Sequence, residues 1–214
     1  MKNDIVQLPY KYDVGKLKES LDWLLSVADI NRIDQLCLTH APKHKKHPDD
    51  YYYQGSGSLS YEYYATVNGV RRRVRDEPLT DLDFTDFIDK AKHTYFYTIY
   101  KQLCKDFKVG RMRIMLLDVN KCLSWHKDPQ KRIHIPVVTN PGCKMIIEDN
   151  IYHMDAGSCY IANTMKKHTA LNAGMERRYH ILITLNDDLN DQVWKERNTK
   201  IWETDEFKYV TDFD

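Results

Sequence analysis

Ser124-Trp125-His126-Lys127-Asp128 opens the stretch on which the fold turns; Arg132-Ile133-His134-Ile135-Pro136 follows, and His168-Thr169-Ala170-Leu171-Asn172 and Arg177-Arg178-Tyr179-His180 close it. His126 and Asp128 are one residue apart. On an extended chain, residues i and i+2 share a face, so an imidazole and a carboxylate at this spacing can grip one ion. A third ligand must come from elsewhere, and His168, at the start of another extended run, is the candidate. Two histidines and one carboxylate on one side of an ion leave three positions open. That facial set is typical of non-haem Fe(II) oxygenases.

An H-x-D pair alone is weak, and its neighbours give it weight. Arg132 and His134 share one strand face, with Ile133, Ile135 and Val137 on the other. Arg178 and His180 repeat the pattern against Ile181, Ile183 and Leu185. Charged groups on one face and aliphatics on the other make sense if the first face lines a polar pocket. Arginines buried there need an anion, because an unpaired buried charge is costly. The turn Asn172-Ala173-Gly174 lets a hairpin return Arg178 beside the metal. Pro136 cannot donate to a ladder, so its strand is an edge or carries a bulge.

Around this stretch the chain reads as short strands with regular turns: Met112–Leu117, Leu123–His126, Arg132–Thr139, Lys144–Glu148, Ser158–Ala162, His168–Asn172 and Arg178–Leu185. That pattern implies an all-β sandwich or barrel. Upstream, Leu17, Leu21, Leu24, Leu25 and Ala28 predict an amphipathic helix over Lys16–Asp29. Phe84, Phe87, Ile88, Ala91, Tyr95, Ile99, Leu103 and Phe107 predict a longer helix over Asp83–Phe107, capped by Thr80 or Asp81. Asn68-Gly69 predicts a two-residue hairpin turn with Val67 opposite Val70 and Ala65 opposite Arg72. One face of that hairpin carries Glu62, Tyr64 and Thr66 against Arg71, Arg73 and Arg75. It reads first as a solvated face and second as a cationic wall for an anionic or extended substrate, with Arg73 in contact. His44-Lys45-Lys46-His47 reads as a solvated loop, Trp125 as core packing, and Asp187–Arg197 as a further helix before an acidic, aromatic tail. The expected organisation is one compact unit: 1–110 with the helices and the hairpin, 111–186 with the metal-bearing strands, and 187–214 with the last helix and tail.

At 214 residues the chain can bury a sizeable core without staples. Its net charge of +1 gives no global pull toward nucleic acid or membrane. Five scattered cysteines without a C-x-x-C pair argue against a disulfide framework and fit a reducing compartment. No apolar run approaches a membrane span, and Met1-Lys2-Asn3-Asp4 lacks a signal-peptide apolar region, so cytoplasm is the expected location.

The segment Trp125–Leu185 resembles the 2-oxoglutarate- and Fe(II)-dependent dioxygenases, in the aspartyl/asparaginyl β-hydroxylase-like branch that includes bacterial proline hydroxylases. W-H-K-D, R-I-H-I-P-V, H-T-A-L-N and R-Y-H-I-L-I carry the resemblance. It implies a mainly β fold with flanking helices, a double-stranded β-helix or jelly roll of cupin type. It implies His126, Asp128 and His168 as iron ligands and as the catalytic centre. Arg178 resembles the arginine on the distal carboxylate of 2-oxoglutarate, and Arg132 and His134 the pair at the metal end of the cosubstrate. Fe(II), 2-oxoglutarate and dioxygen are the implied cofactors. The implied reaction is hydroxylation of an amino acid or peptidyl residue (proline, aspartate or asparagine), with succinate and carbon dioxide as coproducts. Asn163 and Asn172 are candidate substrate contacts beside Arg73. No hydroxyl residue for the distal carboxylate stands out. Three rivals remain: a non-catalytic cupin-like protein binding a metal or small anion, a zinc hydrolase, and a nucleic-acid-modifying oxygenase. The motif run has no spare carboxylate placed as a hydrolase base, and the near-neutral charge counts against nucleic acid.

Overall fold

The computed structural model describes residues 4–42 and 80–186, together with the backbone of 64–67 and 70–73. The elements, in chain order, are β1 (Ile5–Lys11), α1 (Val14–Val27), β2 (Gln35–Cys37), β3 (Thr39–His40), β4 (Tyr64–Val67), β5 (Val70–Arg73), β6 (Asp86–Phe87), α2 (Tyr95–Asp106), β7 (Val109–Leu117), β8 (Lys121–Cys122), β9 (Arg132–Val138), β10 (Cys143–Ile147), β11 (Asn150–Tyr152), β12 (Ser158–Ala162), β13 (His168–Asn172) and β14 (Arg178–Leu185).

Strands β7 to β14 pair as nested partners. β7 lies on β14, β8 on β13, β9 on β12 and β10 on β11, all antiparallel. Lateral pairs β9–β14 and β10–β13 then close two sheets, β1-β12-β9-β14-β7-β2 and β11-β10-β13-β8. A long hairpin rolled so that its strands alternate between two sheets is a jelly roll. β1 and β2 extend the larger sheet at its two edges. The jelly roll therefore recruits β1 and β2 from the segment 1–110, of which only helices and the hairpin are expected from sequence.

Period-two alternation decides which face goes where. Ile133, Ile135 and Val137 of β9, Ile114 and Leu116 of β7, and Ile181 and Ile183 of β14 join one buried cluster with Leu17, Leu21 and Leu24 of α1 and Phe96, Ile99 and Leu103 of α2. The helices thus cover the outer face of the large sheet. Its inner face carries Arg113, Arg132, His134, Arg178 and His180, all buried. A smaller apolar cluster around Met145, Ile147, Tyr152 and Tyr160 fills the barrel's interior beside them.

Three local expectations change. The helix predicted over Asp83–Phe107 begins only at Tyr95. Residues 81–83 and 89–91 form separate 3-10 turns, and β6 between them pairs with β3. Three-residue turns repeat nearly at helical spacing, so Phe84, Phe87, Ile88 and Ala91 are buried without a continuous helix. Pro136 sits in a central strand, and the β9–β14 register shifts where His180 faces it, the bulge that a strand proline requires. Trp125 is half exposed, with the Lys167 ammonium over its ring, and is not core.

The β4–β5 pairing keeps Val67 opposite Val70 and Ala65 opposite Arg72. The Arg73 side chain, His44–His47 and the segment 187–214 lie outside the described residues. None of the five cysteines forms a disulfide. No helix among the described residues is long and apolar enough to cross a membrane.

Candidate metal centre

His126, Asp128 and His168 come together, their donor atoms all within 4.8 Å of one another. The backbone does the gathering. His126 and His168 form an isolated bridge in which each amide donates to the other's carbonyl, at 3.0 and 2.9 Å. The Asp128 amide donates to the Thr164 carbonyl at 2.8 Å. β8 stops at Cys122, and the strand predicted over Leu123–His126 is reduced to the isolated bridge at His126.

Both imidazoles are oriented the same way. His126 Nδ1 lies 2.7 Å from the Ser124 carbonyl, and His168 Nδ1 lies 2.9 Å from the Lys166 carbonyl. A carbonyl only accepts, so each Nδ1 carries the proton and each Nε2 keeps its lone pair. Such backbone contacts commonly fix the tautomer of metal-binding histidines. His168 Nε2 lies 3.7 Å from Asp128 Oδ2, a separation one ion can bridge. Burial lowers the His168 pKa, which favours the neutral form a metal needs. Burial would raise the Asp128 carboxyl, but the hydrogen bond and charge of Arg132 hold it below the ordinary range. The donor set is two imidazole nitrogens and one carboxylate oxygen with no thiolate, and it fits Fe(II).

Arg132 is bonded to the carboxylate ligand and to a second buried carboxylate. Its Nε donates to Asp128 Oδ2 at 2.5 Å, and its NH1 reaches Asp81 Oδ2 at 2.9 Å and Thr184 Oγ1 at 2.8 Å. Asp81 also takes Arg111 NH2 at 2.7 Å and the Thr184 hydroxyl at 3.0 Å. The guanidinium therefore clamps the carboxylate ligand. Asp81 was considered only as a helix cap. It lies far outside the motif run, and its side chain turns into the barrel while Thr80 caps the 3-10 turn.

The triad opens into a cavity of about 820 Å3. Arg178 lies on its wall, buried, with Nε 2.9 Å from His180 Nε2 and NH2 2.8 Å from Nδ1. A neutral imidazole can accept only one of these. No carboxylate among the described residues pairs with Arg178, and burial pulls its pKa down to about 10. β13 and β14 lie in different sheets, so the expected hairpin return does not occur. Arg178 reaches the cavity from the opposite sheet. His134 is buried on the same wall, and neither of its ring nitrogens has a partner.

The two asparagines are not brought to the cavity. Asn163 belongs to the turn before β13, where its amide donates to the Asp4 carbonyl. Asn172 is buried at the far end of β13. Its Nδ2 donates to the Leu117 and Glu176 carbonyls, and its Oδ1 accepts from Gly174 N. That is a turn-closing role. Arg111 and Arg113 also line the cavity and were missed. Their i, i+2 spacing in β7 was the available signal.

Comparison with known proteins bears on the same region. The aspartyl/asparaginyl β-hydroxylase family matches residues 89–187. The match spans a little under half of the chain. It contains the whole triad, Arg132, His134 and Arg178. The chain is also similar to L-proline cis-4-hydroxylase of Rhizobium meliloti (strain 1021), 31% identical over 77 residues. That match covers 33% of this chain and 28% of the relative's length. Among solved structures, AviO1 from Streptomyces viridochromogenes Tue57 is 11% identical, with 87% of this chain and 90% of that one covered and a TM-score of 0.46. A prolyl-4-hydroxylase from Pseudomonas putida is 12% identical, with 86% and 88% covered and a TM-score of 0.42. The assignment of the fold rests on the strand order itself.

Proposed function

We propose that the chain is an Fe(II)- and 2-oxoglutarate-dependent dioxygenase that hydroxylates an amino acid or a peptidyl proline, aspartate or asparagine. One observation carries the reading. A single cavity holds a facial two-histidine, one-carboxylate set with both Nε2 atoms available, and also a buried arginine, Arg178, with no carboxylate partner among the described residues. A non-catalytic metal-binding jelly roll has no need of that arginine. The name of the relative, L-proline cis-4-hydroxylase, supports a small amino-acid substrate.

When bound, iron, 2-oxoglutarate and dioxygen supply the oxidising power for C–H hydroxylation, with succinate and carbon dioxide released. The chain's residues do the rest. His126, Asp128 and His168 hold the metal on one side. Arg132 keeps Asp128 ionised and aimed. Arg178 receives the distal carboxylate of the cosubstrate through its planar fork. His134, neutral and unpartnered, has a ring N–H to donate to the cosubstrate. The apolar walls (Leu117, Leu123, Met145 and Leu182) limit water around the reacting groups.

The test is anaerobic titration of metal-loaded protein with 2-oxoglutarate, then a succinate-release screen over amino acids and short peptides. His168→Ala should abolish metal uptake. Arg178→Gln should bind the metal normally and lose roughly tenfold to a hundredfold in 2-oxoglutarate affinity, the scale of a lost charged hydrogen bond. Unchanged affinity in Arg178→Gln would contradict the assignment of Arg178.

A further inference from the structure

We infer that the cavity contains a second anion subsite, centred on Arg113, that receives a carboxylate of the substrate to be oxidised. This rests on the function proposed above and names the chemistry of that substrate.

Arg113 is buried on the inner face of β7. Its NH1 donates to Gln35 Oε1 at 2.7 Å, and its Nε has no partner. No carboxylate among the described residues forms an ion pair with it. Its neighbour on the same face, Arg111, differs, because Arg111 NH2 is bonded to Asp81. Of the four arginines lining the cavity among the described residues, Arg111 and Arg132 are tied to Asp81 and Asp128. Arg178 and Arg113 are not.

These two are not one site. Across the β7–β14 ladder, Arg178 faces Leu117 while Arg113 faces Leu182. Leu117 and Arg113 are four residues apart along β7, about 13 Å of rise. A cosubstrate whose far carboxylate is on Arg178 leaves Arg113 uncovered. Arg113 instead shares a row with His134, since Leu182 faces both. The next row holds Arg132 and Thr184, which clamp Asp128. Arg113 is therefore close enough to the metal end to hold a small molecule against it.

Charge agrees with position. Among the described residues four arginines and two aspartates line the cavity, and iron and 2-oxoglutarate bring opposite double charges that cancel. The loaded cavity stays positive. Burial, with the guanidiniums of Arg111 and Arg132, pulls the Arg113 pKa down to about 9. A carboxylate on Arg113 relieves that repulsion, whereas an amide or an amine does not. Its unpartnered Nε offers one arm of a planar fork for the purpose.

The experiment uses full-length protein loaded with redox-inert Ni(II) and saturating 2-oxoglutarate. Calorimetric titration compares L-proline with L-prolinamide, and L-aspartate with its diamide. At least one carboxylate should bind tenfold or more tighter than its amide. Arg113→Gln should erase that preference with a tenfold to hundredfold loss. Arg113→Lys, which keeps the charge, should restore part of it. In both variants 2-oxoglutarate affinity should move by less than about twofold, since a uniform loss would mark a folding defect or a cosubstrate contact. Uptake of 2-oxoglutarate without carboxylate preference overturns the subsite alone, as does a preference that survives Arg113→Gln. Failure of the wild type to take up 2-oxoglutarate overturns the functional reading, and the subsite with it.

Discussion

Replacing Asp81 by alanine tests the buried network behind the metal centre. Asp81 is 7% exposed and accepts from Arg111 at 2.7 Å, Arg132 at 2.9 Å and Thr184 at 3.0 Å. Burial would raise its carboxyl, but Arg132, Arg111 and Arg113 hold it below the ordinary range, so it is ionised in the fold. Alanine there leaves two buried guanidiniums short of a counter-charge. Breaking a buried pair by removing one partner costs about 3–5 kcal/mol. For a chain of this size that is a melting shift of roughly 6–20 °C. Urea unfolding of metal-free protein gives the energy directly. Adding Arg111→Met should recover part of the loss, a coupling of about 0.5–3 kcal/mol, because one of the stranded charges is then gone. Asp81→Asn should fall between, keeping an acceptor without the charge. A loss below about 1 kcal/mol for Asp81→Ala, or strict additivity with Arg111→Met, would refute the network.

Two further outcomes follow from the geometry. His134 and His180 are pushed well below the ordinary histidine value, by burial first and by the Arg178 charge second. The unfolded chain therefore takes up protons that the folded chain refuses once pH falls below about 6.5, and stability should decline there by up to roughly 2.7 kcal/mol per pH unit for the pair. Above that value these two groups contribute no slope. Urea midpoints of metal-free protein between pH 5 and 8 check this, and a flat profile below pH 6 would contradict it. Asn172→Ala should cost about 1–3 kcal/mol, because it strands the Leu117 and Glu176 carbonyls, yet leave 2-oxoglutarate affinity unchanged. A selective loss of ligand binding would return Asn172 to the site.

The strands that carry the site were legible because period-two alternation is strongest where the two faces meet different surroundings. β13 and β14 run from His168 to Asn172 and from Arg178 to Leu185, as the alternation of charged and aliphatic residues predicted. β1 was not legible. Ile5, Val6 and Leu8 are buried in its first half, but it pairs with β12, some 150 residues away, and nothing local announces that partner. The first half of the predicted long helix failed for a related reason. Consecutive 3-10 turns bury the same apolar residues at nearly the same spacing as an α-helix, so periodicity alone could not separate them.

The site shows where sequence reasoning stops. Alternation placed Arg132, His134, Arg178 and His180 on the inner face, and the cavity contains all four. It could not say which arginine finds a carboxylate. That depends on Asp81, brought in by a 3-10 turn between Thr80 and β6. Once Asp81 and Asp128 are both committed to Arg132, its charge is balanced within the protein. The anion-binding capacity of the cavity then passes to arginines that have no such neighbour. A face can be read from local spacing, but the charge left over on that face is a property of the closed barrel. For this reason Arg113, with no motif of its own, becomes the residue on which substrate choice should turn.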